Sequence, residues 1–162
     1  FPDLQGYIAL PTGTIVGGSN ARTITAWVKP NQTVDSSNYI FGFGKCSGST
    51  FNGRMNSSKL SFMGCGNDHD SYGDVVYSNG NWVRVWYTYD GSYVKTYYTT
   101  NGTINQSWSW AASLTTNTDS GSEARIGSHN SAADLTAGSY MRDFRIYNVA
   151  LSTTQMAAMW DD

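Results

Sequence analysis

The chain has 162 residues, a formal net charge of −2 and a sequence pI of about 5.5. That suits one domain with a sizeable core, and it excludes a basic protein built to grip nucleic acid. No stretch approaches the roughly 20 apolar residues of a membrane-spanning helix, so membrane insertion is not expected either. Charged residues make up 14% of the chain, well below the roughly 25% of ordinary soluble domains. The 20 Ser, 17 Thr and 14% aromatic residues, with only 3 Pro, favour strands and turns over helices.

In chain order, strand-like runs alternate with turn signals. Residues 6–10 form a short run that stops before Pro11. Residues 22–28 alternate, with Ile24, Ala26 and Val28 on one face and Thr23, Thr25 and Trp27 on the other. Residues 39–45 and 59–64 are two further runs, and 47–58 read as a polar excursion between them. Residues 74–77 lead into Asn79-Gly80, a hairpin signal. Residues 82–90 follow, with Val83, Val85, Tyr87 and Tyr89 on one face. Asp90-Gly91 turns the chain into residues 93–98, and Asn101-Gly102 turns it again. Trp108 and Trp110 flank Ser109, so strand alternation points both indoles to one face. Residues 125–127 and 140–147 are the last strands. Ser152 with Gln155 forms a capping box, and Met156, Met159 and Trp160 follow at helical spacing. The sum is an all-β fold in a single domain over 1–162, a two-sheet sandwich or jelly roll with one short C-terminal helix.

The two cysteines, Cys46 and Cys65, admit one intramolecular bridge. Four Asn-x-Ser/Thr sequons begin at Asn31, Asn56, Asn101 and Asn105. Sequons arise by chance in a chain rich in Asn, Ser and Thr. Four of them beside a cysteine pair point instead to a secreted, extracellular glycoprotein. The chain begins at Phe1, and the natural expectation is a mature, processed form.

The run GNWVRVWYTYDGSYVKTYYTTNG at 80–102 resembles the centre of laminin-G-like jelly-roll domains. There a Trp opens a strand, an aromatic-Asp-Gly turn ends it, and the partner strand closes at a second Gly turn. YMRDFRIYNVALSTTQMAAM at 140–159 resembles the closing signature of the same family. FPDLQGYIALPTG at 1–13 and ARTITAWVKP at 21–30 resemble the start of its pentraxin branch. The resemblance implies a concanavalin-A-like fold of two antiparallel sheets. It also implies extracellular binding of carbohydrate or protein ligands, often with calcium, and, from the pentraxins, assembly into rings. The pentraxin disulfide between the central strands falls here on Ala26 and Val85, and so is absent. The pentraxin Glu-Gln-Asp calcium motif falls after Ile126-Gly127, where SHNSAADLTAG holds only Asp134. Calcium binding of the pentraxin type, and phosphocholine recognition with it, is therefore not carried over. The Cys46–Cys65 pair follows the 39–45 and 59–64 runs. If those strands pair, a bridge would brace the polar loop after Cys65.

Hydrolysis of glycosides needs two carboxylates about 5–5.5 Å apart for retention. The chain has a single Glu, Glu123, and no strand with two acidic residues at i and i+2; an enzyme is not expected. The segment GNDHDSYGD at 66–74 is the densest polar cluster. Asp68, Asp70 and Asp74, with Asn67 and backbone carbonyls, offer oxygens to calcium. The other reading is a solvated hairpin that uses Asp and Asn for turn chemistry. His69 and His129 lie far apart without the further ligands that zinc requires. No local Ser-His-Asp pattern and no phosphate loop is present. The indoles of Trp108 and Trp110 would stack on sugar faces or on another subunit if exposed, and would be core if buried.

Two functions fit. One is a lectin-like adhesion module that holds a glycan or glycoprotein through Asn67, Asp68, Asp70, Tyr72, His129, Asn130, Asp134 and the Trp108–Trp110 pair, with calcium ordering that surface if it is used. The other is a glycosylated structural subunit of an extracellular filament or matrix, joined by domain contacts or strand addition. Self-association into a ring or filament belongs to either.

Overall fold

The computed structural model describes residues 7–11, 13–15, 17–31, 38–44, 50–56, 58–64, 77–114, 124–129, 135 and 138–160. Within them the order is β1 (Ile8–Leu10), β2 (Arg22–Lys29), β3 (Asn38–Phe43), β4 (Phe51–Asn56), β5 (Lys59–Met63), β6 (Val83–Tyr89), β7 (Tyr93–Thr99), β8 (Asn105–Ala111), β9 (Ala124–Ile126), β10 (Tyr140–Tyr147) and α1 (Thr153–Ala157). Two five-stranded antiparallel sheets result. Sheet I runs β1-β9-β3-β4-β5 and sheet II runs β10-β2-β6-β7-β8. This is the jelly-roll sandwich expected from the sequence.

The alternation on β2 and β6 determines how sheet II meets the core. Ile24, Ala26 and Val28 face inward beside Val83, Val85, Tyr87 and Tyr89. Sheet I answers with Phe41, Phe43, Phe51, Met55, Leu60 and Phe62. Phe41 is the hub: it stacks on Phe43 at 4.8 Å and meets Tyr87 edge-on at 5.2 Å. Its ring lies over Gly53, where an added Cβ would sit 2.3 Å from Phe41 Cε1. A glycine there is what lets an aromatic of this size lie flat against the neighbouring strand. Burial of each such ring is worth about 1.5–3 kcal/mol.

Turn chemistry closes the strands where the sequence marks it. Between β6 and β7, Gly91 has φ 97°, and the Asp90 carboxylate accepts from the backbone N–H of Ser92 at 2.9 Å and of Tyr93 at 2.7 Å. Asn79-Gly80 also forms a turn, with Gly80 at φ 76° and its N–H bonded to Pro30 O at 2.8 Å. Residues 74–76 of the expected hairpin lie outside the described residues, and Tyr77 is buried without being in a strand. The capping box is present: Ser152 Oγ accepts from Gln155 N at 3.3 Å, and Ser152 N donates to Gln155 Oε1 at 2.9 Å. Helix α1 lies on the outer face of sheet II, where Met156 packs on Trp86 and Tyr97.

One expectation is corrected. The supposed polar excursion at 47–58 contains β4, which runs between β3 and β5. The strands before the two cysteines are therefore not neighbours. Gly42, Asn52 and Met63 share one row, so β3 and β5 are about 10 Å apart, two strand spacings. A disulfide needs Cα atoms within about 7 Å, so the sheet pairing does not itself supply that geometry. Cys46 and Cys65 lie outside the described residues.

Candidate functional site

The structure places the residues singled out in the sequence at several separate positions. Asn67, Asp68, Asp70, Tyr72, Asp74, Asn130 and Asp134 lie outside the described residues. Asn31, Asn101 and Asn105 are exposed sequon positions, and Asn56 is half-buried at the end of β4. Among the described residues, no three potential metal ligands cluster.

His129 is 3% exposed and stacks on Tyr39 with ring centroids 4.8 Å apart. Its backbone lies across the outer face of sheet I. An added Cβ on Gly42 would meet Ser128 O at 2.8 Å and the His129 Cα at 2.9 Å, so glycine is required for this close crossing. The same face is a buried polar layer. Asn52 Oδ1 accepts from Phe43 N at 3.0 Å, and Asn52 Nδ2 donates to Thr50 Oγ1 at 2.9 Å. The Tyr39 hydroxyl reaches Met63 Sδ at 3.1 Å. Gly127 N donates to Ile40 O at 2.8 Å, and Leu135 N donates to Gly127 O at 2.7 Å. Residues 127–129 are thus fixed to β3. His129, expected as a ligand contact, is instead buried against Tyr39.

Trp108 and Trp110 occupy β8, one edge of sheet II. Their rings stack at 6.2 Å with planes 24° apart. Both indoles are half-buried, and Ser109 between them is exposed. They project to the inner face: Trp110 pairs with Val94 and packs on the core, while Trp108 pairs with Thr96. The pair is thus neither pure core nor free surface. Beneath it Thr96 is fully buried, and its Oγ1 has no hydrogen-bond partner among the described residues. A buried hydroxyl left unsatisfied costs about 1–3 kcal/mol. Thr96 was not singled out in the sequence. Its signal was there, as the one small polar side chain in the inward series Val94, Thr96, Tyr98.

The outer face of sheet II is organised by charge. Arg84 is fully buried between Trp27 and Trp86, at 5.9 and 5.6 Å from their ring centroids. It pairs with Asp143 at 2.8 Å and donates to Met159 O at 3.0 Å. Burial lowers its pKa despite the facing Asp143 carboxylate. On the inner side, Arg22 is buried against Phe51 and Tyr89, and desolvation lowers its pKa to about 10. These two arginines tie the sandwich together and have no exposed surface for a ligand.

A family model described as the concanavalin A-like lectin/glucanases superfamily matches residues 3–157. No curated protein matches the sequence. Among solved structures, domain 4 of a GH43 extracellular arabinanase from Geobacillus stearothermophilus, in complex with arabinotriose, is similar at 20% identity and TM-score 0.66, over 94% of this chain and 71% of that one. A native heptameric SAP-like pentraxin from Limulus polyphemus is similar at 17% identity and TM-score 0.58, over 97% and 78%. The NanB sialidase from Streptococcus pneumoniae is similar at 14% identity and TM-score 0.67, over 95% of this chain but only 26% of the enzyme. At these identities the likeness is one of fold.

Proposed function

The chain belongs to the concanavalin A-like lectin/glucanase superfamily, and from that premise we propose that it is a non-catalytic, secreted glycan-binding module. The observation that carries the reading is the half-buried Trp108–Trp110 stack over the Thr96 hydroxyl, which has no partner among the described residues. Indole faces bind the apolar face of a sugar ring, and a dry hydroxyl is a ready partner for a sugar hydroxyl. A domain of similar fold holds a sugar: the arabinanase domain is in complex with arabinotriose. The single Glu of the chain supports binding over hydrolysis, and the four sequons support an extracellular setting. Asn67, Asp68, Asp70, Tyr72, Asn130 and Asp134 form the second set of contacts in this reading, with calcium held by Asp68, Asp70 and Asp74 where it is used.

Tryptophan fluorescence titration with neutral oligosaccharides, arabinotriose first, tests it. Trp108→Ala or Trp110→Ala should weaken binding by on the order of 1 kcal/mol, about fivefold in Kd. Thr96→Val should weaken binding while raising the melting temperature, because it removes an unsatisfied buried hydroxyl. No saturable response across a panel of neutral glycans would sink the proposal.

The second reading, a self-assembling subunit, rests on edge strand β1, where Ile8 is 55% exposed, and on Tyr7 just before it, 41% exposed. Sedimentation velocity separates the two readings. Mass that grows with concentration, and falls back in Ile8→Lys, supports assembly; a constant monomer mass removes it.

A further inference from the structure

The opposite edge of sheet II carries a second aromatic surface, on the other face. Strand β10 pairs with β2 so that Tyr140 lies opposite Lys29 and Arg142 opposite Trp27. Trp82, just before β6, reaches the same place. The Arg142 guanidinium carbon is 4.6 Å from the Trp82 ring centroid and 5.4 Å from that of Trp27. Lys29 Nζ is 6.0 Å from the Tyr140 ring, and Tyr140 is 56% exposed. Arg142 is exposed, while Lys29 and Trp82 are half-buried.

The charges here differ from the other cations of the sheet. Lys95 pairs with Asp90, and Arg84 and Arg145 pair with Asp143. Lys29 and Arg142 have neither an ion pair nor a hydrogen bond among the described residues, only their ring contacts. A guanidinium over indole uses its face, while its N–H donors lie in its plane. The ring contacts therefore hold the side chain, and its donor fork has no acceptor among the described residues. Its geometric complement is a planar carboxylate, bound by two parallel hydrogen bonds. Holding the fork in place beforehand reduces the ordering cost of binding. Beside it, the ring of Tyr140 offers a face to a sugar ring, and Lys29 adds a second positive charge about one side chain away.

We propose that this edge binds a polyuronate, a sugar chain that carries a carboxylate on its rings. The site is distinct from the Trp108–Trp110 surface. The two edges are four strand spacings apart, about 19 Å, and the side chains project to opposite faces of the sheet. The inference does not depend on the function proposed for the β8 edge.

The test uses calorimetric titration of the whole chain with oligogalacturonate and, in parallel, with its methyl ester. The ester keeps the rings and removes the charge. The acid should bind, more weakly as salt rises, and the ester should not. Arg142→Gln should weaken binding of the acid at least about tenfold. Arg142→Lys should recover only part of this, because it restores charge without the planar fork. Arg142 is exposed, and an unchanged melting curve verifies the fold. Trp108→Ala should leave uronate affinity unchanged. No binding of the acid, or equal binding of the ester, overturns the inference. So does uronate binding that survives Arg142→Gln and is lost in Trp108→Ala; that outcome would leave the glycan-binding module standing with its ligand on the other edge. If Arg142 and Lys29 serve only to keep edge strands apart, Arg142→Gln would promote association without affecting uronate binding, and the inference falls.

Discussion

The two edges of sheet II are held by the same kind of residue in different surroundings. Twelve acidic residues occur in the chain, but among the described residues only Asp90 and Asp143 are acidic. Asp90 sits in the exposed turn that launches β7, and through β7 it supports the Trp108–Trp110 strand. Asp143 sits in the irregular stretch of β10 between Arg142 and Arg145, 24% exposed, with the fully buried Arg84 against it. Its φ of 52° is left-handed, a conformation that Asp tolerates better than most residues. Asp90 accepts three hydrogen bonds, whereas Asp143 accepts one from Arg145 Nε and is ion-paired with Arg84. One works in solvent, where charge is screened, and the other faces a guanidinium that has no access to water. Burial, more than the number of contacts, should set what each is worth.

The sharpest way to break that ranking is Asp143→Asn. Asn tolerates the same backbone angle, so the change removes charge and little else. Arg84 would keep only Met159 O at 3.0 Å and Thr25 Oγ1 at 3.4 Å, with its charge buried and uncompensated. The expected loss is about 3 kcal/mol, or about 6–12 °C in melting temperature for a domain of this size. Hydrogen exchange should show β10 and α1 losing protection before β7 and β8. Uronate affinity, which needs Arg142 held in place, should fall with them. A loss no larger than that of Asp90→Asn would mean that Arg84 is satisfied without Asp143, and the difference between the edges would disappear.

How far the sequence discloses these features depends on how local they are. The paired faces of β2 and β6, the Asp90-Gly91 turn and the Ser152 capping box are written in neighbouring residues, and each stands where the pattern puts it. Even the missing family disulfide is consistent, since Ala26 and Val85 are direct partners in the ladder. Strand β4 escaped because Phe51–Asn56 reads FNGRMN. A glycine and two asparagines mask its alternation, yet Gly53 makes room for Phe41 and Asn52 bonds the backbone of β3. Both reasons are tertiary. The stack of Arg142 between Trp27 and Trp82 escaped for the same reason: three residues from three chain segments meet only through strand pairing. The buried position of His129 is likewise invisible in a polar loop until its backbone is laid across Gly42.

The smaller effect belongs to Asp90, and its pH dependence follows from its partners. Desolvation pushes its pKa up, but the backbone N–H groups of Tyr93 and Ser92 and the Lys95 ammonium outweigh it, so the folded value lies below the usual 3.8. A depressed carboxylate stabilises the fold fully above its unfolded pKa and loses that contribution as pH falls through the folded value. Asp90→Asn should therefore cost about 1 kcal/mol or less at neutral pH, and nothing once the wild-type carboxylate is protonated. Urea titrations of the two proteins from pH 7 down to pH 2 should converge below about pH 4. The loosening should be local. Protection should drop at the β6–β7 turn and along β8, and binding at the Trp108–Trp110 edge should weaken while uronate binding at Arg142 holds. A gap that persists at pH 2 would show that the Asp90 side chain acts through its shape in the turn and not through its charge. The two edges would then differ in the kind of support they have, and not only in its strength.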